Sequence, residues 1–283
     1  MSFLDAIVEA TGHRVAERRH RVPLSELEAR LRDAPPPRSL VTALRRGFGV
    51  IAEHKRRSPS GGPSEPAHLA GCLSAYAEAP WVVGVSVLTD EDYFDGRLGD
   101  LAMARERVGK PILRKDFVVD EYQVIEARVA GADAILLMAS VHHRAPERLA
   151  SLHALARSVG LEVLVEIGLA DRPIEELAAL VPPDAELWGV NARSFRKENG
   201  GDHAPGLHHS LSTDVERHRR YRALVPPGCL AVAESGIHTG AELAAARAAG
   251  YHAALIGTAF LHGPRSLAEV MANLGGAFRA NSA

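Results

Sequence analysis

Short runs of Val, Ile, Leu and Ala recur along the whole chain. Between them lie longer stretches in which apolar residues return every three or four positions. The runs fall near 48–53, 82–89 ("VVGVSVLT"), 111–117 ("PILRKDF"), 134–139 ("AILLMA"), 162–167 ("EVLVEI"), 187–192 ("LWGVNA"), 230–235 ("LAVAES") and 253–258 ("AALIGT"). They are mostly apolar rather than alternating, so they read as strands buried on both faces of a parallel sheet. The stretches "EPAHLAGCLSAYAEA", "DEYQVIEARVAG", "APERLASLHALARSVG" and "HTGAELAAARAAG" read as helices, and several close on Gly, which suits a left-handed helix end. Eight strand–helix units in one chain predict an α/β fold, a (β/α)8 TIM barrel. A doubly wound open sheet is the rival, but it calls for fewer strands or a second domain, and no linker or composition break marks one. Before the first strand, "FLDAIVEATGHRVAERR", "PLSELEARLRDA" and "SLVTALRR" look helical. The expected organisation is an N-terminal helical extension, 1–47, packed on a barrel, 48–283, as a single domain overall.

The first strand ends unusually. In "FGVIAEHKRRSPSGG", Glu53 and Lys55 fall one alternation apart on the same side of the strand. Polar residues end other strands too: Lys115 and Asp116 the third, Glu166 the fifth, Asn191 and Arg193 the sixth, Glu234 and Ser235 the seventh. In a (β/α)8 barrel all of these ends meet on one face, the face that carries active sites. Unpaired charges gathered there would cost several kcal/mol, so a shared chemical task explains them better than accident. The turns "ESGIHTG" and "GTAF", after strands seven and eight, are small enough for backbone N–H groups to approach an anion, as in the phosphate sites of such barrels.

Composition mainly excludes. The 283 residues are 46% hydrophobic and 24% charged, ordinary for a globular chain, with enough apolar material for a large core. Aromatics at 5% and a net charge of -2 suggest no nucleic-acid partner. The Arg-rich "HRVAERRHR" is interleaved with acids and reads as the wet face of a helix. Cys72 and Cys229 lie far apart, which suggests reduced thiols and a cytoplasmic location rather than a disulfide framework. The opening "MSFLDAIVEATGHR" lacks a basic segment followed by an apolar run and so does not read as a signal peptide, and no apolar stretch is long enough to span a bilayer.

Taken together, "IAEHKRRSPSG", "VSVLTDEDYFDG", "PILRKDFVVDEYQVIEARVAGADAILLMAS", "LEVLVEI", "WGVNARSF", "AESGI" and "LIGTAFL" resemble the indole-3-glycerol phosphate synthase family of tryptophan biosynthesis. The N-terminal helical stretches resemble that family's extra helices. "LRKDFVVDEYQ" and "EHKRRSPS" are the specific stretches; "ESGI" recurs in other phosphate-binding barrels. The resemblance implies a carbon–carbon lyase of the carboxy-lyase type. Its substrate is 1-(2-carboxyphenylamino)-1-deoxyribulose 5-phosphate: an aryl carbon attacks the ketone, CO2 leaves and water is eliminated. It implies no metal and no organic cofactor, and a monomer or weak homodimer.

Residue by residue, the resemblance implies that Lys115 is the general acid that activates the ketone. Lys55 contacts the substrate and is a second proton donor. Glu53 and Glu166 serve the dehydration half. Asn191, Arg193, Glu234 and Ser235 hold the sugar or position the other groups, and Asn191 is counted with the catalytic set. Gly236, Gly257 and Thr258 form the phosphate cup, Ser58 contacts the anthranilate carboxylate, and Phe94 and Phe117 wall the aryl ring. A lysine near other cations in a low-dielectric site is expected to have its pKa lowered towards the working range.

The chain departs from the family pattern in "NARSF", where Ala192 replaces a polar residue, in "EIGLADRPIEEL", in a shorter loop after "SPSGG", and in a longer one, "RKENGGDHAPGLHHSLST". That last loop, 196–213, is expected to be either a lid on the site or a passive insertion, and its Asp202, His203, His208 and His209 have spacing open to a transition metal. The alternatives to the leading reading are a paralogue acting on a related aryl-aminodeoxyribulose phosphate in specialised metabolism and a non-catalytic barrel that binds a phosphometabolite or a partner protein. A phosphoribosylanthranilate isomerase would share the barrel and the cup but not "EHKRRSPS" together with "LRKDF".

Overall fold

The structure is a computed structural model and describes residues 3–58, 62–63, 66–168, 172–192, 215–261 and 266–279. Eight strands form its centre: β1 (Gly49–His54), β2 (Val82–Leu88), β3 (Ile112–Lys115), β4 (Ala134–Met138), β5 (Glu162–Gly168), β6 (Leu187–Asn191), β7 (Leu230–Glu234) and β8 (Ala253–Ile256). They pair in sequence order, all parallel, and β1 closes the ring by pairing with both β8 and β2. Each apolar run of the sequence is therefore a strand. Closure removes the sheet edges and with them the open-sheet rival.

Period-two alternation sorts the strand side chains into two layers. Val50, Val85, Ile112, Leu137 and Val165 point outward and pack under the surrounding helices. Ile51, Leu113, Leu136, Leu164, Leu187, Val232 and Leu255 point inward and fill the barrel. At the bottom, Leu40 and Leu44 join that inner cluster and are 1% exposed. Burying a side chain of that size contributes about 1.5–3 kcal/mol.

The N-terminal segment forms α1 (Phe3–Arg21), α2 (Leu24–Arg30) and α3 (Leu40–Arg45), and α2 ends earlier than its pattern suggests, in a 3-10 turn at Leu31–Asp33. Leu40 and Leu44, one turn apart on α3, make it the bottom plug. Ser39 caps α3 by accepting the Thr42 N–H at 2.9 Å, and Glu162 of β5 anchors it by accepting from Ser39 Oγ at 2.6 Å and the Val41 N–H at 2.9 Å.

The basic stretch of α1 is not the wet face its composition suggests. Arg14 meets Asp90 and Asp92, both at 2.9 Å, Arg18 meets Glu126 at 3.0 Å, and Arg19 meets Asp120 at 2.7 Å. The physical reason is helical spacing: Ile7, Thr11, Arg14 and Arg18 share one stripe, and that stripe faces the barrel. Glu17, off the stripe, and Arg21, at the helix's last residue, are 70% exposed. The helices Gly99–Arg107, Ile174–Ala178, Val215–Arg222 and Leu267–Arg279 are not singled out by the sequence pattern. Ile174–Ala178 is too short to show periodicity, and "VERHRRYR" has no apolar stripe. No helix among the described residues is long and apolar enough to cross a membrane.

Candidate active site

The inward alternation changes character at the strand ends. Up β1 the interior positions run Ile51, Glu53, Lys55; up β3, Leu113 and Lys115; up β5, Leu164 and Glu166; up β7, Val232 and Glu234. The apolar layer gives way to a charged one at the C-terminal face. The charged groups open into a cleft at that face. Twelve of the fourteen residues that the resemblance assigns to the site line it: Glu53, Lys55, Phe94, Lys115, Phe117, Glu166, Asn191, Glu234, Ser235, Gly236, Gly257 and Thr258. Arg193 lies outside the described residues, as does the loop 196–213 with Asp202, His203, His208 and His209. Ser58 is described only as backbone, in a two-residue strand paired with Gly62–Pro63. No cluster of three or more His, Cys, Asp or Glu among the described residues has a metal-site arrangement.

Lys115 is the centre of the charged layer. Its ammonium stands 3.0 Å from Glu234 Oε2 and 3.6 Å from Glu166 Oε2. Burial alone would lower its pKa, but Glu234, Glu166 and Glu53 outweigh burial and raise it, so it is held as the cation. This corrects the expectation of a lowered lysine: carboxylates, not cations, surround it. Glu166, 1% exposed, is pushed up to about 8 by burial first and then by the Glu234 charge, against the pull of Lys115 and of a hydrogen bond from Asn191. Two buried carboxylates beside one ammonium cannot both ionise cheaply, which favours a proton on the pair.

The second pair lies across the barrel. Lys55 Nζ is 2.8 Å from Glu53 Oε1 and 3.4 Å from Thr258 Oγ1, so it links the Glu53 carboxylate to the loop after β8. Tyr76, fully buried below, donates to the Glu53 carbonyl at 3.2 Å and fixes the strand end. Ser235 and Gly236 both have positive φ, 69° and 76°. A left-handed serine is an uncommon, strained conformation, and here it turns the chain at the rim of the cleft.

The opposite wall is apolar. Phe94, Phe117, Leu88, Leu136 and Met138 line it, and Leu4 and Ile7 of α1 complete it. The extension is thus part of the cleft, a role the sequence pattern does not disclose. Two glycines have roles that sequence reasoning also missed. A Cβ on Gly189 would fall well inside 3.0 Å of Glu234 Oε1, and one on Gly257 would do the same to Glu53 Oε1. Gly257 therefore makes room for a carboxylate, whatever it does for an anion. Asp116, a strand-end candidate, turns out to be held in an ion pair with Arg114 at 2.8 Å and a hydrogen bond from Thr89 at 2.6 Å.

A family model described as indole-3-glycerol phosphate synthase matches residues 4–272. Among curated proteins, an indole-3-glycerol phosphate synthase from Nocardioides sp. is 40% identical over 266 residues, covering 92% of this chain and 94% of its own. One from Syntrophobacter fumaroxidans is 38% identical over 282 residues, 98% of this chain and 99% of its own. Among solved structures, orotidine 5'-phosphate decarboxylase from Pyrococcus horikoshii OT3 superposes with a TM-score of 0.56 at 13% identity, over 81% of this chain and 99% of that one. The last likeness is one of fold.

Proposed function

The chain belongs to the indole-3-glycerol phosphate synthase family, and on that premise we propose that it closes the pyrrole ring of 1-(2-carboxyphenylamino)-1-deoxyribulose 5-phosphate. The products are indole-3-glycerol phosphate, CO2 and water. The observation that carries the reading is the raised Lys115 ammonium, 3.0 Å from Glu234 and 3.6 Å from Glu166 at the base of the cleft.

Lys115 hydrogen-bonds the substrate ketone and gives it a proton as the aryl carbon attacks, so the oxygen becomes a hydroxyl rather than an alkoxide. The carboxylate on that aryl carbon then leaves as CO2, and its bonding electrons restore the aromatic ring. Elimination follows: the new hydroxyl departs as water after taking a proton, and the methylene carbon beside the ring nitrogen gives one up, which leaves the C=C bond of the pyrrole ring. Glu166, whose pKa of about 8 lets it give or take a proton near neutrality, and Glu53 serve this half. Asn191 orients Glu166, Glu234 holds the Lys115 ammonium, and Arg193 helps grip the sugar.

The phosphate sits among the backbone N–H groups of Ser235, Gly236, Gly257 and Thr258. Lys55 supplies a cation there, as its 3.4 Å approach to Thr258 suggests. The anthranilate ring packs on Phe94 and Phe117, with Ser58 at its carboxylate. We further propose a cytoplasmic enzyme of tryptophan synthesis, monomeric or weakly dimeric, with no nucleic-acid partner. The test is conversion of the carboxyphenylamino substrate followed by mass and by indole absorbance. A purified chain that binds the substrate without releasing CO2 would favour the non-catalytic barrel instead.

A further inference from the structure

Arg114 is among the largest fully buried side chains of the molecule, 1% exposed, and it faces outward from β3. Its paired neighbours in the sheet, Val87 and Ile135, are apolar, so a guanidinium is not what this layer needs for packing. It is held on every side. Its nitrogens meet Asp116 at 2.8 Å and Glu126 at 3.0 Å, and donate to Thr89 Oγ1 at 3.0 Å and the Gln123 carbonyl at 2.9 Å. Glu126 also takes Arg18 of α1 at 3.0 Å, so a chain of alternating charge runs Arg18, Glu126, Arg114, Asp116. A buried chain of this kind is weak evidence for stability, since apolar residues of similar shape do about as well.

Its geometry supplies another purpose. Residues 114 and 116 point outward on either side of Lys115, which points in. Asp116 accepts the Phe117 N–H at 2.8 Å with one oxygen and Thr89 Oγ1 at 2.6 Å with the other, and the Thr89 N–H donates to the Lys115 carbonyl at 3.1 Å. The two peptides that follow Lys115, one through its own carbonyl and one through the Phe117 N–H, are therefore held by Thr89 and Asp116. We propose that Arg114 and Glu126 are positioning residues for the reaction: they fix the strand end that aims the Lys115 ammonium, and Arg18 extends that hold to the N-terminal helix. This rests on Lys115 being the proton donor.

The test compares wild type with Glu126→Gln and Arg114→Lys. Glutamine keeps the shape of Glu126 without its charge. Lysine keeps the charge of Arg114 but cannot span four partners. Misplacing a reacting group by a fraction of an ångström to 1 Å costs up to about 10²-fold in rate. The expected result is a kcat lower by about tenfold or more, with KM within about twofold of wild type. Leu274→Ala, which opens a cavity in the outer core, is the control: it should lower Tm and leave kcat alone. Glu126→Gln and Arg114→Lys variants that melt lower but keep wild-type kcat, like the control, would overturn the proposal. Should both fail to fold, Arg18→Met at the half-exposed end carries the test: a several-fold loss of kcat is expected, and an unchanged kcat overturns it. A wild type that never turns over points to failure of the function itself, which separates the two outcomes.

Discussion

Gly189→Ala adds one methyl group in the middle of β6, at a backbone conformation that alanine accepts without strain. The added Cβ would lie well inside 3.0 Å of Glu234 Oε1 and 3.4 Å from the Glu166 Cα. The Cα is backbone and fixed, so the Glu234 carboxylate must give way. Restoring ordinary contact takes a retreat of about 1–2 Å in a close-packed interior. The Lys115–Glu234 distance, now 3.0 Å, would then reach or pass about 4 Å, the outer limit of an ion pair. Overpacking of this kind costs about 1–3 kcal/mol, read as a fall in Tm of about 2–10 °C. The larger effect should be on rate: a 1 Å displacement beside the reacting group is worth about 10²-fold in kcat. The assay is steady-state formation of the indole product, with Tm measured on the same preparation. Wild-type kcat in a folded Gly189→Ala variant would refute the reasoning, because it would mean that the position of Glu234 does not govern Lys115.

Gly257→Ala should do to Glu53 what Gly189→Ala does to Glu234, lowering kcat with the fold retained, as checked by circular dichroism and turnover. Glu166→Gln should abolish most turnover without loss of stability. Because Glu166 titrates near 8 when folded against an ordinary 4.5, the native state binds the extra proton between those values. Its contribution to wild-type stability therefore falls as pH rises through that window, and Glu166→Gln should flatten the slope in denaturant titrations at several pH values. Inorganic phosphate at roughly tens of millimolar should compete with substrate for the cup; purely non-competitive or absent inhibition would count against it.

Much of this was legible in the chain because it is local. Eight apolar runs gave eight strands, alternation placed Glu53 and Lys55 on one side of the first, and the meeting of strand ends on one barrel face brought Lys115, Glu166 and Glu234 to them. What was not legible is what depends on the opposing strand. Nothing near Gly189 in the sequence announces that its missing side chain makes room for Glu234, some forty-five residues on. The surroundings of Lys115 have the same origin: its partners come from β5 and β7, so a lysine expected to be lowered by cations is raised by carboxylates. The Arg-rich run on α1 looked solvated because its acids, Asp90, Asp92, Asp120 and Glu126, lie far along the chain. Charge pattern alone does not tell a helix's wet face from one docked on a distant acidic rim.

The most direct measurement is a comparison of wild type with Lys115→Met at saturating 1-(2-carboxyphenylamino)-1-deoxyribulose 5-phosphate, following CO2 release and indole absorbance together while substrate binding is measured separately. The wild type should give the two products in equal amounts. Lys115→Met should bind the substrate with similar affinity, since the phosphate cup and aryl wall are untouched, yet lose about 10²-fold or more in turnover for want of the acid. A Lys115→Met variant that turns over within a few fold of wild type would contradict the placing of ring closure on Lys115.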